Sequence, residues 1–322
     1  MGQPSDADTD VSDTDAAATA PPSPPPSLSL GTCGLKVTHA IGVCQFVFVR
    51  YAHELVRIVV TSGGCYPGVC LASGVEPFAW FERDYGPYCL GRWNARALGL
   101  FWDDERCLRD LFRRLPPDPA LVATRSRLVV AVTPCPFGWN RWLASLVVGV
   151  LRALRAVTAR VARIFGVVDA SDALPPALAA LTAPSGAGVR LVDGFASMDE
   201  LLDAAMCSMH IPPLFRNPTP RMRRCLDGGF GGGSGAPRLD ARTVTVQPDA
   251  AADVPSDAAA SWVDALTLAQ LRPQRTLDVA RAECAAGFEA ARRRDALFVS
   301  RGFAPRPGAD AAKVANPWAP FL

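Results

Sequence analysis

Histidine is nearly missing from this sequence. The 322 residues hold three, His39, His53 and His210. A hydrolase triad in the order Ser, acid, His needs its histidine well after the acid, and none follows position 210. His210 could pair with an earlier acid such as Asp193, but it sits in an apolar stretch before Pro212 and Pro213, where a structural role is the simpler reading. Ten cysteines are spread singly, with no CxxC pair and no Cys/His ligand spacing. That argues against a zinc site and leaves the cysteines as small, reduced core residues. The loops GxxxxGK[ST] and GxGxxG, which hold nucleotide phosphates, are absent too. Charge of either sign is not in excess, the net being +2, so nothing points to nucleic acid as a partner.

What the sequence does have is apolar bulk: 49% of its residues are hydrophobic, enough for one large α/β domain with a buried core. Residues 1–26 are acidic and rich in Ala, Pro and Ser, ending in PPSPPPS. They lack the basic end and apolar run of a secretory signal, and they read as a disordered leader on a cytoplasmic protein. Residues 304–322 form a poorly patterned C-terminal tail. Between them, strand and helix patterns alternate. Val56–Val60 (VRIVV), Leu128–Thr133 (LVVAVT) and Thr243–Gln247 (TVTVQ) are β-branched runs typical of buried strands. Val37–Val49, Met198–Met209 and Val279–Arg294 carry helical patterns, and Asp103–Arg114 is amphipathic and stops before Pro116. This order predicts layers of helix around a mainly parallel sheet.

Chemistry concentrates at a few turns. VVTSGGC places Ser62 at a strand–turn–helix corner, which is how a serine nucleophile is lifted above a sheet. Such a corner is strained and needs small neighbours, here Gly63 and Gly64. The helix beyond it offers backbone N–H groups and a positive dipole end to a developing oxyanion. CLDGGFGGG puts Asp227 before Gly228 and Gly229, at a loop tip from which a carboxylate can take a serine's proton. SLGTCGLKV runs a strand into a glycine-bearing loop whose N–H groups can line an oxyanion hole or cradle a phosphate.

Together these segments resemble the patatin-like phospholipase family, and within it the adipose triglyceride lipase branch. LSLGTCGLKVTHAIGV is similar to that branch's first strand, oxyanion loop and helix, and IVVTSGGCYPGVCLASGV to its nucleophile elbow. MDELLDAAMCSMHIPPLF with RCLDGGF resembles its helix, proline loop and dyad aspartate. ARTVTVQP and VARAECAAGFEAARR, ending FVSRGF, resemble its closing strand and last helix. The resemblance spans about Leu28 to Phe303 and implies a three-layer patatin-like domain over residues 27–303. It implies Ser62 as nucleophile and Asp227 as its base, working through an acyl-enzyme with no cofactor and no metal. The oxyanion hole would come from the backbone of Cys33, Gly34 and Leu35, with Lys36 in the loop's basic position. The implied substrate is a triacylglycerol or phospholipid ester.

Two positions depart from the pattern. Val60 stands where the elbow usually has glycine, and its branch is expected to crowd the corner. Val37 stands where the loop glycine is expected and narrows the approach to the oxyanion site. Both favour the competing reading, a pseudoenzyme that binds lipid or a partner lipase without turnover. Finally, Trp139–Val168 gathers arginines on one helical side (Arg152, Arg155 and Arg163 among them) and Leu, Val and Ile on the other. A basic amphipathic helix of this kind suits a membrane or lipid-droplet surface, although a solvated helix packed on the domain would look the same.

Overall fold

The computed structural model describes residues 24–31, 37–90, 109–110, 127–134, 188–209, 225–230, 236–248, 251–256 and 276–322. Helix α1 (Val37–Arg50) is buried nearly all round. An apolar helix with no polar face has to lie inside a layered domain. Its partner is α5 (Leu277–Arg292), which begins where the Thr276 hydroxyl accepts the Val279 N–H at 3.2 Å and carries Asp278 in its first turn and Arg292 in its last. Both charges complement the helix dipole. The two helices meet backbone to backbone through glycine. A Cβ at Gly42 would lie 1.9 Å from the Cys284 carbonyl oxygen, and one at Gly287 would lie 2.0 Å from that of His39.

The sheet is formed by β1 (Ser27–Leu30), β2 (Arg57–Val60), β3 (Leu128–Pro134), β4 (Arg190–Val192), β5 (Cys225–Asp227), β6 (Thr243–Gln247) and β7 (Val254–Pro255). Its order is β4-β3-β2-β1-β6-β7, with β5 also on β3. The contacts β1 with β2, β1 with β6, β2 with β3 and β6 with β7 are parallel. Strands β4 and β5 run antiparallel to β3. The chain is therefore an α/β protein with a mainly parallel sheet. Leu28, Leu30, Ile58, Val60, Val244 and Val246 are fully or almost fully buried and belong to one apolar cluster with α1 and α5. Each such side chain stabilises the core by about 1.5–3 kcal/mol.

The antiparallel strand β5 has a particular consequence. Val132 pairs with Arg190 of β4 and also with Asp227 of β5. A strand residue has one neighbour on each edge, so β5 occupies the edge that β2 leaves when it ends at Val60, opposite Val130. Strand β5 thus runs back toward the sheet and delivers its last residue to the corner where β2 stops. Helix α4 (Met198–Met209) packs its Leu201, Ala205 and Met206 into the same apolar cluster.

Residues 304–322, unpatterned in sequence, are tied to the domain. The Ala52 N–H donates to the Ala304 carbonyl and the Arg306 N–H to the Arg50 carbonyl, both at 2.9 Å. Trp318 is fully buried, edge-on to Phe81 and to Phe78 of α3 (Pro77–Trp80), and its Nε1–H donates to Glu82 at 3.0 Å. The leader up to residue 23, most of the helix expected at 103–114, the Trp139–Val168 segment and the IPPLF loop lie outside the described residues. No helix among the described residues is long and apolar enough to cross a membrane.

Candidate active site

Ser62 lies just past the carboxyl end of β2, ahead of α2 (Cys65–Ala72). Its φ of +54° makes it the one non-glycine residue with positive φ among those described. A serine held in this region stores strain and marks a site whose surroundings impose the conformation. The corner's own hydrogen bonds show how. The Thr61 N–H donates to the Leu30 carbonyl at 2.9 Å, fastening the corner to β1. The Gly64 N–H donates to the Thr61 carbonyl at 3.0 Å, and the Cys65 N–H turns back to the carbonyls of Ser62 and Gly63. The Ser62 N–H goes to the Ser208 hydroxyl at 2.9 Å. That leaves the Gly63 N–H as the corner's unused backbone donor among the described residues, and Gly63 is the partly exposed member of Thr61–Gly64.

Glycine at 64 is dictated by close approach, since a Cβ there would lie 2.5 Å from the Leu30 carbonyl oxygen. At 228 the reason is the same: a Cβ would lie 2.3 Å from the Ala131 carbonyl oxygen and 2.9 Å from Thr61 Cγ2. Gly228 is thus pressed between β3 and the residue before Ser62. Val60 does not crowd the corner as its branch led us to expect. It is fully buried, and Gly68 on α2 makes room for it, for a Cβ at Gly68 would lie 2.1 Å from Val60 Cγ1. The missing side chain is on the helix instead of the strand. Val37 is buried in the first turn of α1.

Asp227 is buried, 1% exposed. Its Oδ1 accepts the Gly229 N–H at 2.8 Å. Thr133 Oγ1 donates to the carbonyl oxygens of Asp227 at 2.9 Å and Gly228 at 3.3 Å. Burial pushes the Asp227 carboxyl up to about 7, and hydrogen bonding from the Ser62 hydroxyl and the Gly229 N–H pulls the other way. Ser62 is therefore within acting distance of the carboxylate. Asp227 Oδ2, however, makes no hydrogen bond of good geometry among the described residues. Ser62 and Asp227 are thus neighbours with no well-formed hydrogen bond at Oδ2.

Of the residues singled out in the sequence, Ser62, Gly63, Gly64, Asp227, Gly228 and Gly229 come together at one end of the sheet. Cys33, Gly34, Leu35 and Lys36 lie outside the described residues, as does His210. His53 comes before β2 begins, at the opposite end from Ser62. It stacks on Phe48 with ring centroids 4.4 Å apart, and burial, then Arg127, lowers its pKa to about 4. A neutral, packed imidazole there is part of the scaffold. Sequence reasoning missed Ser208 and Thr133, the hydroxyls that hold the two halves of the site. Cys70, buried in α2, is a free thiol. No group of metal-ligating side chains occurs among the described residues. No family model matches the sequence, and no curated protein matches it.

Proposed function

We propose that this chain is a serine acyl hydrolase of patatin-like fold that cleaves lipid esters with the Ser62–Asp227 dyad. The observation that carries the reading is a serine at φ +54° on a strand–helix corner beside a buried carboxyl held up to about 7. A base with a pKa near the working pH accepts and returns a proton with little penalty either way. Ser62 Oγ attacks the ester carbonyl carbon while its proton passes to Asp227 Oδ2. The tetrahedral oxyanion is met by the Gly63 N–H, and by the Cys33–Leu35 backbone where the resemblance puts its hole. Collapse breaks the bond to the alcohol, which leaves with the proton from Asp227. Water then gives its proton to Asp227 and attacks the acyl-enzyme. The acid departs, and the proton returns to Ser62 Oγ.

The lipid character of the substrate rests on the resemblance and on the Trp139–Val168 pattern, which would bring the chain to a membrane or lipid-droplet surface from the cytoplasm. Labelling of the full chain by a fluorophosphonate probe, with Ser62→Ala as control, tests the nucleophile. A parent protein that takes no label at Ser62 turns the reading to a lipid-binding pseudoenzyme.

A further inference from the structure

The corner that carries Ser62 is held by a residue the dyad chemistry does not use. Ser208 lies in the last turn of α4 and is fully buried. A helical serine commonly turns its hydroxyl back to the carbonyl of the preceding turn. Ser208 instead reaches across two other elements. It accepts the Ser62 N–H at 2.9 Å and donates to the Ala131 carbonyl on β3 at 2.6 Å.

The Ala131 carbonyl is no arbitrary endpoint. It is the atom against which Gly228 is pressed, and the next residue, Val132, is paired with Asp227. Thr133, one residue further, holds the Asp227 and Gly228 carbonyls. A stretch of β3 backbone thus fixes the acid, and through Ser208 the same stretch fixes the nucleophile. Resting on the hydrolase reading above, we propose that Ser208 is the positioning residue of the nucleophile, setting the Ser62 peptide against the strand that carries Asp227.

Two consequences follow from the geometry. The hydrogen bond engages the Ser62 N–H, so a rotation of the Ser62 backbone out of its positive-φ region breaks it. It also occupies that N–H, which leaves the neighbouring Gly63 N–H to face an oxyanion. Loss of the Ser208 hydroxyl therefore acts on the orientation of Ser62 Oγ, and so on bond formation more than on binding.

The experiment measures fluorophosphonate inactivation on the full chain, separating the maximal rate (kinact) from the half-saturating concentration (KI). For Ser208→Ala, kinact is expected to fall by roughly 10- to 100-fold with KI within about threefold of the parent, as for a misplaced reacting group. Ser208→Cys, with a weaker donor and acceptor of similar size, should fall between the two and keeps the test open if the alanine variant does not fold. Leu202→Ala, a packing loss on the same helix, should lower the melting temperature and leave kinact of the folded protein unchanged. Parent-like kinact in a folded Ser208→Ala or Ser208→Cys variant overturns the inference alone. So does an equal loss in Leu202→Ala, which would make the effect one of helix packing. Absence of labelling in the parent overturns the hydrolase reading and this inference with it.

Discussion

Val60 and Gly68 are two halves of one contact: the branch that Val60 adds at the end of β2 fills the space that Gly68 leaves at the start of α2, where a Cβ would come within 2.1 Å of Val60 Cγ1. The pair carries the chain from a buried strand into a tightly packed helix without displacing Ser62 from positive φ. Glycine at the strand position is one solution to the crowding of a nucleophile corner. Glycine at position 68, one turn into the following helix, is another.

Val60→Gly should therefore not speed ester turnover. It leaves a cavity against Gly68 and loosens the strand, at a cost of about 2–4 kcal/mol in stability. Gly68→Ala should be destabilising alone and better tolerated when combined with Val60→Ala. Chemical denaturation of the variants, alone and combined, measures the coupling. A faster Val60→Gly enzyme would show that the branch obstructs the site after all.

The pH–rate profile should have an acid limb set by Asp227. The carboxyl must be ionised to take the Ser62 proton, and burial places its pKa at about 7. kcat/KM for a small soluble ester should rise as pH increases through that region. A profile flat down to about pH 5 would mean an Asp227 of ordinary acidity or another base.

Stability should move the other way. The folded carboxyl, at about 7, binds its proton more tightly than the unfolded one at 3.8. The stability this contributes is fully present below about pH 4 and is lost as pH rises through about 7, a total change on the order of 4 kcal/mol. Asp227→Asn does not titrate. Relative to the parent it should gain stability between about pH 4 and 8 while losing turnover. Urea midpoints at the two pH values check the sign, and a parent–variant difference that does not change with pH would contradict it.

Replacing Arg152, Arg155 and Arg163 together with Glu should weaken binding to anionic vesicles, each arginine near such a surface contributing about 1 kcal/mol. Hydrolysis of a soluble ester, which needs no interface, should be nearly unchanged. Co-sedimentation and ester assays on the same variants separate the effects. Equal sedimentation of parent and variant would make the segment a solvated helix.

The sequence by itself determined the elements that bury apolar side chains at a regular period. Thr243–Gln247 and Met198–Met209 have the same bounds in sequence pattern and structure, and the helices about Val37 and Val279 and the strands ending at Val60 and Thr133 agree to within a few residues. The reason is local: a β-branched run or an apolar stripe states its conformation without knowing its neighbours. Ser62 and Asp227 were legible for a related reason, because each sits where such a run gives way to glycine. What only the tertiary structure decided are the contacts between distant segments. Strand β5 pairs antiparallel in a mainly parallel sheet and brings Asp227 back to the end of β2. Ser208, 146 residues after Ser62, looks like an ordinary helical serine until its hydroxyl is seen bridging Ser62 and Ala131. Val60 looked like an obstruction because its accommodation lies at Gly68, across a turn and on another element. Hydrogen bonds and close packing between remote residues leave no periodic trace in a sequence, so the approach of Ser62 to Asp227, and the bridge that Ser208 makes between Ser62 and β3, depend on the folded chain.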